Sequence, residues 1–243
     1  MIKAVLLAGG KGERLRPFTL TTPKPLLTIG KKTLLEYNLR HLKKFGINEV
    51  IITLGYRGEL IKKYLRERHN FGLKVSYVEE NSENPLGTAG VFYKLKKCLP
   101  DTFLVVYSDI LRILDLEDVI NFHRTKKAHA TICVYKNRKI NPKSSVVFDK
   151  KNAMISFTER PKAVEMNKTV WSNASLYIFE PGVLRFWSKL EKKDFGQDVI
   201  PQLLKKKLAV YAYVQKGYFQ DIGSYKKFKI AKKDLEKGKF ICY

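Results

Sequence analysis

At the amino terminus, the apolar run of residues 2–7 leads into Ala8-Gly9-Gly10-Lys11-Gly12-Glu13-Arg14-Leu15. The run is typical of a buried strand, and the glycines predict a tight turn directly after it. Because glycine has no Cβ, the backbone N–H groups of such a turn can wrap around a phosphate chain. The stretch lacks the Gly-Lys-Ser/Thr of a P-loop and has no third glycine at position 15, so neither common phosphate-binding pattern fits it.

A second segment, Thr22-Pro23-Lys24-Pro25-Leu26, follows closely, and Lys24 and Arg14 can supply positive charge to phosphates. The two segments together resemble the signature of sugar-1-phosphate nucleotidyltransferases, or nucleotide-sugar pyrophosphorylases: Leu-Ala-Gly-Gly-x-Gly-x-Arg-Leu followed by Pro-Lys-Pro-Leu. The resemblance implies an enzyme that joins an NTP and a sugar 1-phosphate to give an NDP-sugar and pyrophosphate. It implies that Arg14 and Lys24 are catalytic, and that the nucleotide is bound by Leu7, Ala8, Gly9, Gly10, Gly12 and Arg14.

The composition fits a globular protein that handles anions. The chain has 243 residues, 44% of them apolar, with 47 Lys and Arg against 23 Asp and Glu. Its basic residues are spread along the sequence without a nucleic-acid-binding motif, so we expect NTP and sugar phosphate, and not nucleic acid, as the anionic partners. No apolar run approaches the roughly 20 residues that cross a bilayer, and the N-terminal run is too short and too quickly polar for the pattern of a signal peptide. We expect a cytoplasmic protein without a membrane partner, and homo-oligomerisation stays open.

The order of predicted elements indicates an α/β fold. Strands over residues 2–7, 49–54, 74–78 and 103–107 alternate with helices, one opened by the capping box Thr33-x-x-Glu36 and ended by Gly46, the others over 59–68 and 88–99. Short strands follow over 131–135, 146–149, 154–159 and 176–179, then a helix over 197–206, a strand over 209–214 and a helix from Ser224.

Together with the resemblance, this pattern predicts a Rossmann-like (GT-A type) fold. It should be a mixed, mostly parallel sheet flanked by helices, with a smaller inserted sugar-binding sheet. We expect one domain over 1–243, comprising a nucleotide-binding half (1–135), a sugar-binding half (136–223) and a C-terminal helix (224–243), with no C-terminal β-helix domain.

Two aspartates are candidate metal ligands. Asp109 follows the strand over 103–107, so it should lie at the C-terminal edge of a parallel sheet, where open α/β folds bind ligands. Asp221, within Gly217-Tyr-Phe-Gln-Asp221-Ile-Gly223, comes from the other end of the chain. The two resemble the family's paired metal aspartates, which hold Mg²⁺ across the phosphates, and Mg²⁺ prefers carboxylate oxygens. Either residue, taken alone, can equally serve in a turn or as a cap.

The segment Pro85-Leu86-Gly87-Thr88-Ala89-Gly90 resembles the family's base-binding segment, in the form found in mannose-1-phosphate guanylyltransferases. Just upstream, Glu80 stands where thymidylyl and uridylyl enzymes often carry Gln. A carboxylate only accepts hydrogen bonds, and guanine offers two adjacent donors, so Glu80 favours guanine. Glu79 can fill this role instead, or the acidic pair can be a solvated loop.

The sugar side resembles the family in two further motifs. Glu159-Arg160-Pro161 stands for Glu-Lys-Pro, and Asn173-Ala174-Ser175-Leu176-Tyr177 for Asn-Ala-Gly-Ile-Tyr. The resemblance implies that Glu159 and Asn173 bind sugar hydroxyls and that Arg160 binds the sugar phosphate. The family has Lys at this position, and the planar guanidinium fork of Arg160 differs from a lysine ammonium in shape and reach. Ser145 stands where the family has a glycine touching the sugar, and Ser108 replaces the glycine before Asp109. Both added side chains are expected to crowd the site.

These residues predict GTP and mannose 1-phosphate as the substrate pair. The alternatives are thymidylyl or uridylyl transfer to glucose 1-phosphate and guanylyl transfer to a heptose 1-phosphate. A non-catalytic subunit that senses a nucleotide-sugar or binds RNA is an alternative of another class. The four histidines have no metal-binding spacing and should be surface or packing residues. Cys98, Cys133 and Cys242 are far apart and should be reduced thiols.

Overall fold

A computed structural model describes residues 2–137, 143–161 and 170–240. The described strands are β1 (Lys3–Leu7), β2 (Thr28–Ile29), β3 (Lys32–Thr33), β4 (Glu49–Leu54), β5 (Lys74–Glu79), β6 (Phe103–Tyr107), β7 (Ile110–Arg112), β8 (Ala130–Asn137), β9 (Ser144–Phe148), β10 (Met154–Glu159), β11 (Val170–Phe179), β12 (Val210–Val214) and β13 (Phe219–Asp221). The α-helices are α1 (Leu34–Lys44), α2 (Gly58–Arg66), α3 (Phe92–Leu95), α4 (Leu116–Thr125), α5 (Ile200–Lys205) and α6 (Tyr225–Glu236), with a π-helical turn at Phe195–Val199. The mixed, mostly parallel sheet flanked by helices agrees with the prediction.

Contacts divide the chain into two compact units. The first unit consists of Ile2–Pro85, Val106–Leu116 and Gly217–Tyr243, and the second of Leu86–Val105 and Glu117–Lys216. Of the predicted site residues, those of the glycine turn, Lys24, Glu80 and the two aspartates fall in the first unit. Gly87, Thr88 and the sugar-binding candidates fall in the second.

The first unit contains a parallel sheet in the order β1-β4-β5. Ala4, Val5 and Leu6 are fully buried, as the apolar run predicts. Helix α1 begins as expected, because the Thr33 side chain accepts a hydrogen bond from the N–H of Glu36, and Gly46 follows its end at φ 72°. The unit also holds an antiparallel pair, β7 with β13, that the sequence pattern does not predict, since each strand has only three residues.

The second unit is built on antiparallel strands in the order β10-β9-β11, with β8 pairing antiparallel to β11 and parallel to β12. Strand β11 begins at Val170, six residues before the predicted start. Its register shifts between Asn173 and Tyr177, with Ser175 at φ 55°. This bulge interrupts the period-two alternation by which a strand is recognised in a sequence.

Two helices differ from the prediction. The helix expected over 88–99 is reduced to α3 and a short 3₁₀ helix, Lys96–Cys98. The turn residues before it bond elsewhere: the N–H of Ala89 donates to the carbonyl of Lys193 over 2.9 Å. The helix expected over 197–206 is a π-helical turn followed by α5, with Pro201 in the first turn of α5 because proline has no N–H to donate. No helix in the described ranges is long and apolar enough to cross a membrane.

Candidate active site

The glycine turn after β1 packs against the turn after β4. A Cβ on Gly55 would lie 2.6 Å from the carbonyl oxygen of Gly9, and the N–H of Tyr56 donates to the same oxygen over 3.2 Å. Glycine is therefore required at this contact for its small volume. Gly10 is exposed, and a Cβ there would meet no atom within 4 Å, so this side of the turn is open to a ligand.

The next residues of the turn are shaped by Gly12, which is left-handed at φ 67°. The hydroxyl of Thr19 donates to its carbonyl over 2.9 Å, and a Cβ on Gly12 would lie 3.0 Å from the Thr19 methyl. A 3₁₀ turn, Glu13–Leu15, follows and leaves Arg14 exposed, so its guanidinium can reach a bound phosphate. Ala8 differs from the other turn residues because its N–H already donates to the carbonyl and hydroxyl of Thr53.

The structure brings Lys24 and Asp109 together. Lys24 begins a 3₁₀ turn, and its ammonium donates to Oδ2 of Asp109 over 2.5 Å, with 12% of the lysine side chain and 29% of the aspartate side chain exposed. The residue before Asp109 is Ser108, whose hydroxyl donates to the carbonyl of Leu7 over 2.6 Å. The hydroxyl of Ser108, which stands where the family has glycine, thus bonds to the backbone of β1.

Asp221 lies beside Asp109 along the pair β7 and β13. Asp221 is the register partner of Ile110, and the N–H of Ile222 donates to the carbonyl of Asp109 over 2.9 Å. The ammonium of Lys227 donates to Oδ2 of Asp221 over 2.5 Å. The described residues hold no cluster of three or more His, Cys, Asp or Glu suited to a metal, so a metal here would take its protein ligands from this carboxylate pair. Two carboxylates fit Mg²⁺, which keeps several waters and needs only one or two protein ligands.

The two candidate base-binding glutamates differ in their surroundings. Glu79 is exposed, and Lys62 donates a hydrogen bond to it, which lowers the pKa of Glu79. Glu80 is half-buried directly after β5, and its N–H donates to the carbonyl of Leu54 over 2.8 Å. Of the two, Glu80 is the more shielded from water.

The turn at Gly87 is fixed by the segment around Lys193. Gly87 has φ 75°, and a Cβ there would lie 2.3 Å from the carbonyl oxygen of Lys193. The hydroxyl of Thr88 donates to Oδ2 of Asp194 over 2.7 Å and accepts from the N–H of Phe195 over 3.0 Å. Asp194 was not among the residues predicted from the sequence. A signal was present, because an Asp just before an apolar helical run is a typical N-cap.

The sugar-binding candidates lie on neighbouring strands. Glu159 at the end of β10 is the register partner of Ser144 on β9, and the Ser144 hydroxyl accepts from the N–H of Asn173 on β11 over 2.8 Å. Burial, and then the Asp194 carboxylate, raise the pKa of Glu159 to about 7 against the opposing charges of Arg160 and Lys143.

The other three sugar-binding candidates, Asn173, Arg160 and Ser145, each have different surroundings. The Asn173 amide donates to the Tyr177 hydroxyl over 2.7 Å, and its oxygen accepts from the N–H of Ser175 over 2.9 Å, so the side chain is held by the β11 bulge. Arg160 is exposed at φ 47° just beyond β10. Ser145 is half-buried opposite Thr158, one position from the Ser144 that contacts Asn173.

A glycine turn after a parallel strand, with Lys24 paired to Asp109 and Asp221 next to Asp109 on the paired strands, is an arrangement typical of phosphate-handling α/β proteins. Residues 3–238 match the model of the family described as nucleotidyl transferase, and the chain belongs to that family. This match confirms the resemblance that the two signature segments indicate.

Three relatives illustrate the match. UTP–glucose-1-phosphate uridylyltransferase of Synechocystis sp. is 33% identical over 234 residues, covering 91% of this chain and 60% of the relative. The mannose-1-phosphate guanylyltransferase catalytic subunit beta of Danio rerio is 33% identical over 232 residues, covering 93% and 62%. The chain thus spans about three fifths of the length of these relatives. The crystal structure of HddC from Yersinia pseudotuberculosis complexed with GMP-PN superposes with a TM-score of 0.80 at 25% identity, covering 97% of this chain and all of that one. The predicted fold class is confirmed.

Proposed function

We propose that the protein is a sugar-1-phosphate nucleotidyltransferase that converts an NTP and a sugar 1-phosphate into an NDP-sugar and pyrophosphate. The observation that carries the proposal is the Lys24–Asp109 ion pair, with Asp221 beside it on the paired strands β7 and β13. A lysine and two carboxylates at one sheet edge, behind a glycine turn, supply what a phosphoryl transfer requires, because such catalysis is mainly positioning and charge stabilisation.

In the proposed reaction an oxygen of the sugar phosphate forms a bond to the α-phosphorus of the NTP. The bond from that phosphorus to the β-phosphate bridging oxygen breaks, and pyrophosphate leaves. Lys24 steadies the α-phosphate and the attacking oxygen, and Arg14 draws on the leaving pyrophosphate. Asp109 and Asp221 would hold Mg²⁺, which when bound neutralises charge on the phosphates. The Gly9–Gly12 backbone cradles the phosphate chain, and no covalent enzyme intermediate is formed.

For the substrate pair we propose GTP and mannose 1-phosphate. The half-buried Glu80, the guanylyltransferase relative from Danio rerio and the guanine nucleotide bound by HddC support guanine. The uridylyltransferase relative from Synechocystis supports the alternative of uridylyl transfer to glucose 1-phosphate. Glu159 and Asn173 are the proposed sugar ligands, Arg160 the phosphate ligand, and Ser145 a neighbour of the sugar.

The same proposal includes Gly87 and Thr88 as part of the base site. It also includes the division into a nucleotide-binding half over 1–135 and a sugar-binding half over 136–223. We propose a cytoplasmic location on the grounds of the substrates and of the cysteines predicted to be reduced, of which Cys242 lies outside the described residues. Self-association stays open.

The test is pyrophosphate release with Mg²⁺ across ATP, CTP, GTP, UTP and dTTP, each against the 1-phosphates of mannose, glucose, galactose, N-acetylglucosamine and heptose. Turnover confined to GTP would support both the enzyme class and the role of Glu80. Turnover with UTP or dTTP would keep the class and overturn the base assignment. Absence of turnover across the grid, with RNA binding that weakens as salt rises, would favour the non-catalytic alternative.

A further inference from the structure

Asp194 lies between a residue proposed to bind the nucleotide and one proposed to bind the sugar. One carboxylate oxygen accepts the Thr88 hydroxyl over 2.7 Å. The other accepts the backbone N–H groups of Gly196 over 2.8 Å and Gln197 over 3.2 Å, which caps the π-helical turn. A single side chain therefore fixes both the turn that follows Gly87 and the start of the helix.

The capped turn is also the surface against which the Glu159 carboxylate packs. A Cβ on Gly196 would lie 2.5 Å from Oε2 of Glu159, so glycine leaves the space that this carboxylate occupies. Glu159 is half-buried there, and the charges that act on it among the described residues are those of Asp194, Arg160 and Lys143. Because burial and the Asp194 charge outweigh the two cations, the pKa of Glu159 is raised to about 7, so this carboxyl takes up a proton far more readily than an exposed glutamate does.

We propose that Asp194 is a positioning residue that joins the two substrate sites: it fixes Thr88 by a hydrogen bond, and it caps the turn against which the Glu159 carboxylate packs. The proposal rests on the function proposed above. A protonated carboxyl donates one hydrogen bond and accepts others, so it can bridge two sugar hydroxyls. It also carries no negative charge to repel the sugar phosphate.

This arrangement gives the direction of a pH effect. Above pH 7 Glu159 loses its proton, and the resulting pair of carboxylates repels the anionic substrate, so KM for the sugar 1-phosphate rises. Removing the Asp194 charge stabilises ionised Glu159, which moves the rise in KM to lower pH. The second ionisation of the sugar phosphate is common to all variants, so the difference between their profiles reports Glu159.

The experiment compares wild type, Asp194→Asn, Glu159→Gln and Asp198→Asn. Asparagine is as good an N-cap as aspartate, so Asp194→Asn removes the charge and keeps the cap. Its amide nitrogen replaces the oxygen that accepts the Thr88 hydroxyl, and it can donate to that hydroxyl instead. We expect the sugar KM profile of Asp194→Asn to move by ~1 pH unit towards acid with kcat little changed, and that of Glu159→Gln to lose the step. Asp198→Asn is the matched control, because it removes a carboxylate four residues away, whose oxygen accepts from the Asp194 N–H over 2.6 Å. Its profile should follow wild type.

A second readout separates this inference from the proposed reaction. The carboxyl carbon of Glu159, assigned by its loss in Glu159→Gln, is titrated by ¹³C NMR without substrate. A midpoint near pH 7 that moves towards acid in Asp194→Asn supports the linkage even if no sugar in the grid is turned over. An unchanged midpoint in Asp194→Asn, or a KM profile identical to wild type, overturns it and leaves Asp194 as a helix cap alone.

Discussion

The ammonium of Lys227 lies 2.5 Å from a carboxylate oxygen of Asp221, so a cation of the same chain already neutralises one of the two proposed metal ligands. Lys24 does the same for Asp109. The two lysines differ in their proposed roles. Lys24 belongs to the Pro-Lys-Pro signature and is given a role in catalysis, whereas Lys227 comes from the first turn of α6 and has no role in the proposed reaction.

Replacing Lys227 should therefore strengthen metal binding. We expect Lys227→Met to bind Mn²⁺ ~5-fold more tightly than wild type, because a unit positive charge next to the site is removed. The amount of free Mn²⁺ is measured by electron paramagnetic resonance without nucleotide, and circular dichroism checks the fold. Lys226→Met, an exposed neighbour on α6, is the control and should bind as wild type. Equal affinities of Lys227→Met and wild type would show that this ion pair does not compete with the metal.

Replacing Lys24 should affect the reaction far more than the fold. Lys24→Ala is expected to lower kcat by ~100-fold or more, since a preorganised charge at the transferring phosphorus is lost. The free energy of unfolding in urea should change by only about 1 kcal/mol, because the partner Asp109 is partly exposed to water. Lys31→Ala, which changes an exposed lysine of the same region, is the control for a general loss of positive charge. Parallel losses of activity and stability would contradict a catalytic role.

The start of α1 gives a prediction about stability. Thr33→Ala removes the hydroxyl that accepts the N–H of Glu36, and the free energy of unfolding should fall by about 1 kcal/mol. The matched control is Thr28→Ala, because Thr28 is the register partner of Thr33 in the β2–β3 hairpin and is exposed. Urea denaturation that gave the same loss for both threonines would show that the cap contributes little.

Alanine substitutions at Gly46 and Gly87 distinguish the cost of a strained backbone conformation from the cost of a steric clash. Both glycines have positive φ, but a Cβ on Gly46 meets nothing within 4 Å, whereas one on Gly87 lies 2.3 Å from the Lys193 carbonyl oxygen. Gly46→Ala should lose about 1 kcal/mol of unfolding free energy for its backbone conformation alone. Gly87→Ala should lose at least twice as much and should raise KM for the NTP. A Gly87→Ala variant with the stability of Gly46→Ala would show that the turn can shift away from Lys193.

His41 predicts how stability depends on pH. It is buried on α1, its Nε2 lies 2.7 Å from the Leu114 carbonyl oxygen, and burial lowers the pKa of His41 to about 4. A depressed histidine pKa means that the folded protein resists protonation. Neutral His41 therefore contributes its full stabilisation above pH 6.5. As the pH falls towards 4, the free energy of unfolding decreases by up to about 3 kcal/mol. Urea denaturation across this range should show a shallower loss for His41→Asn. If the slope is unchanged, another group governs the acid limb.

Much of the first unit could be predicted from the sequence because its elements are long and carry strong local signals. The buried run of β1 and the Thr33 capping box needed no tertiary information, and Asp109 was placed at a strand end by the run before it. The pairing of β7 with β13 could not be predicted, since three residues carry no periodicity and the two strands are far apart in the chain. Its effect on the site is large, because it sets Asp221 beside Asp109.

The second unit was harder to predict because its backbone departs from regular structure at the site. The bulge at Ser175 hid the first half of β11, and the bonds from Thr88 and Ala89 to the segment at 193–195 replaced the first turn of a predicted helix. Ser144 and Asp194 were missed for the same reason: their importance comes from partners distant in sequence. Ser145, which was predicted, directly follows Ser144 in the chain. Glu159, also predicted, packs against the turn that Asp194 caps.

The way the chain threads through the two units limits how the protein can be divided. Between Ile2 and Tyr243 it passes from one unit to the other at 85/86, 105/106, 116/117 and 216/217. No single cut in the chain, by a protease or by truncation of the gene, yields either unit as one continuous fragment. Neither can therefore emerge complete from the ribosome before the other has been largely synthesised: the first unit must wait for its α6 segment after the whole of the second has been made. Separate expression of either unit would require a redesigned chain in which new linkers join its separate segments.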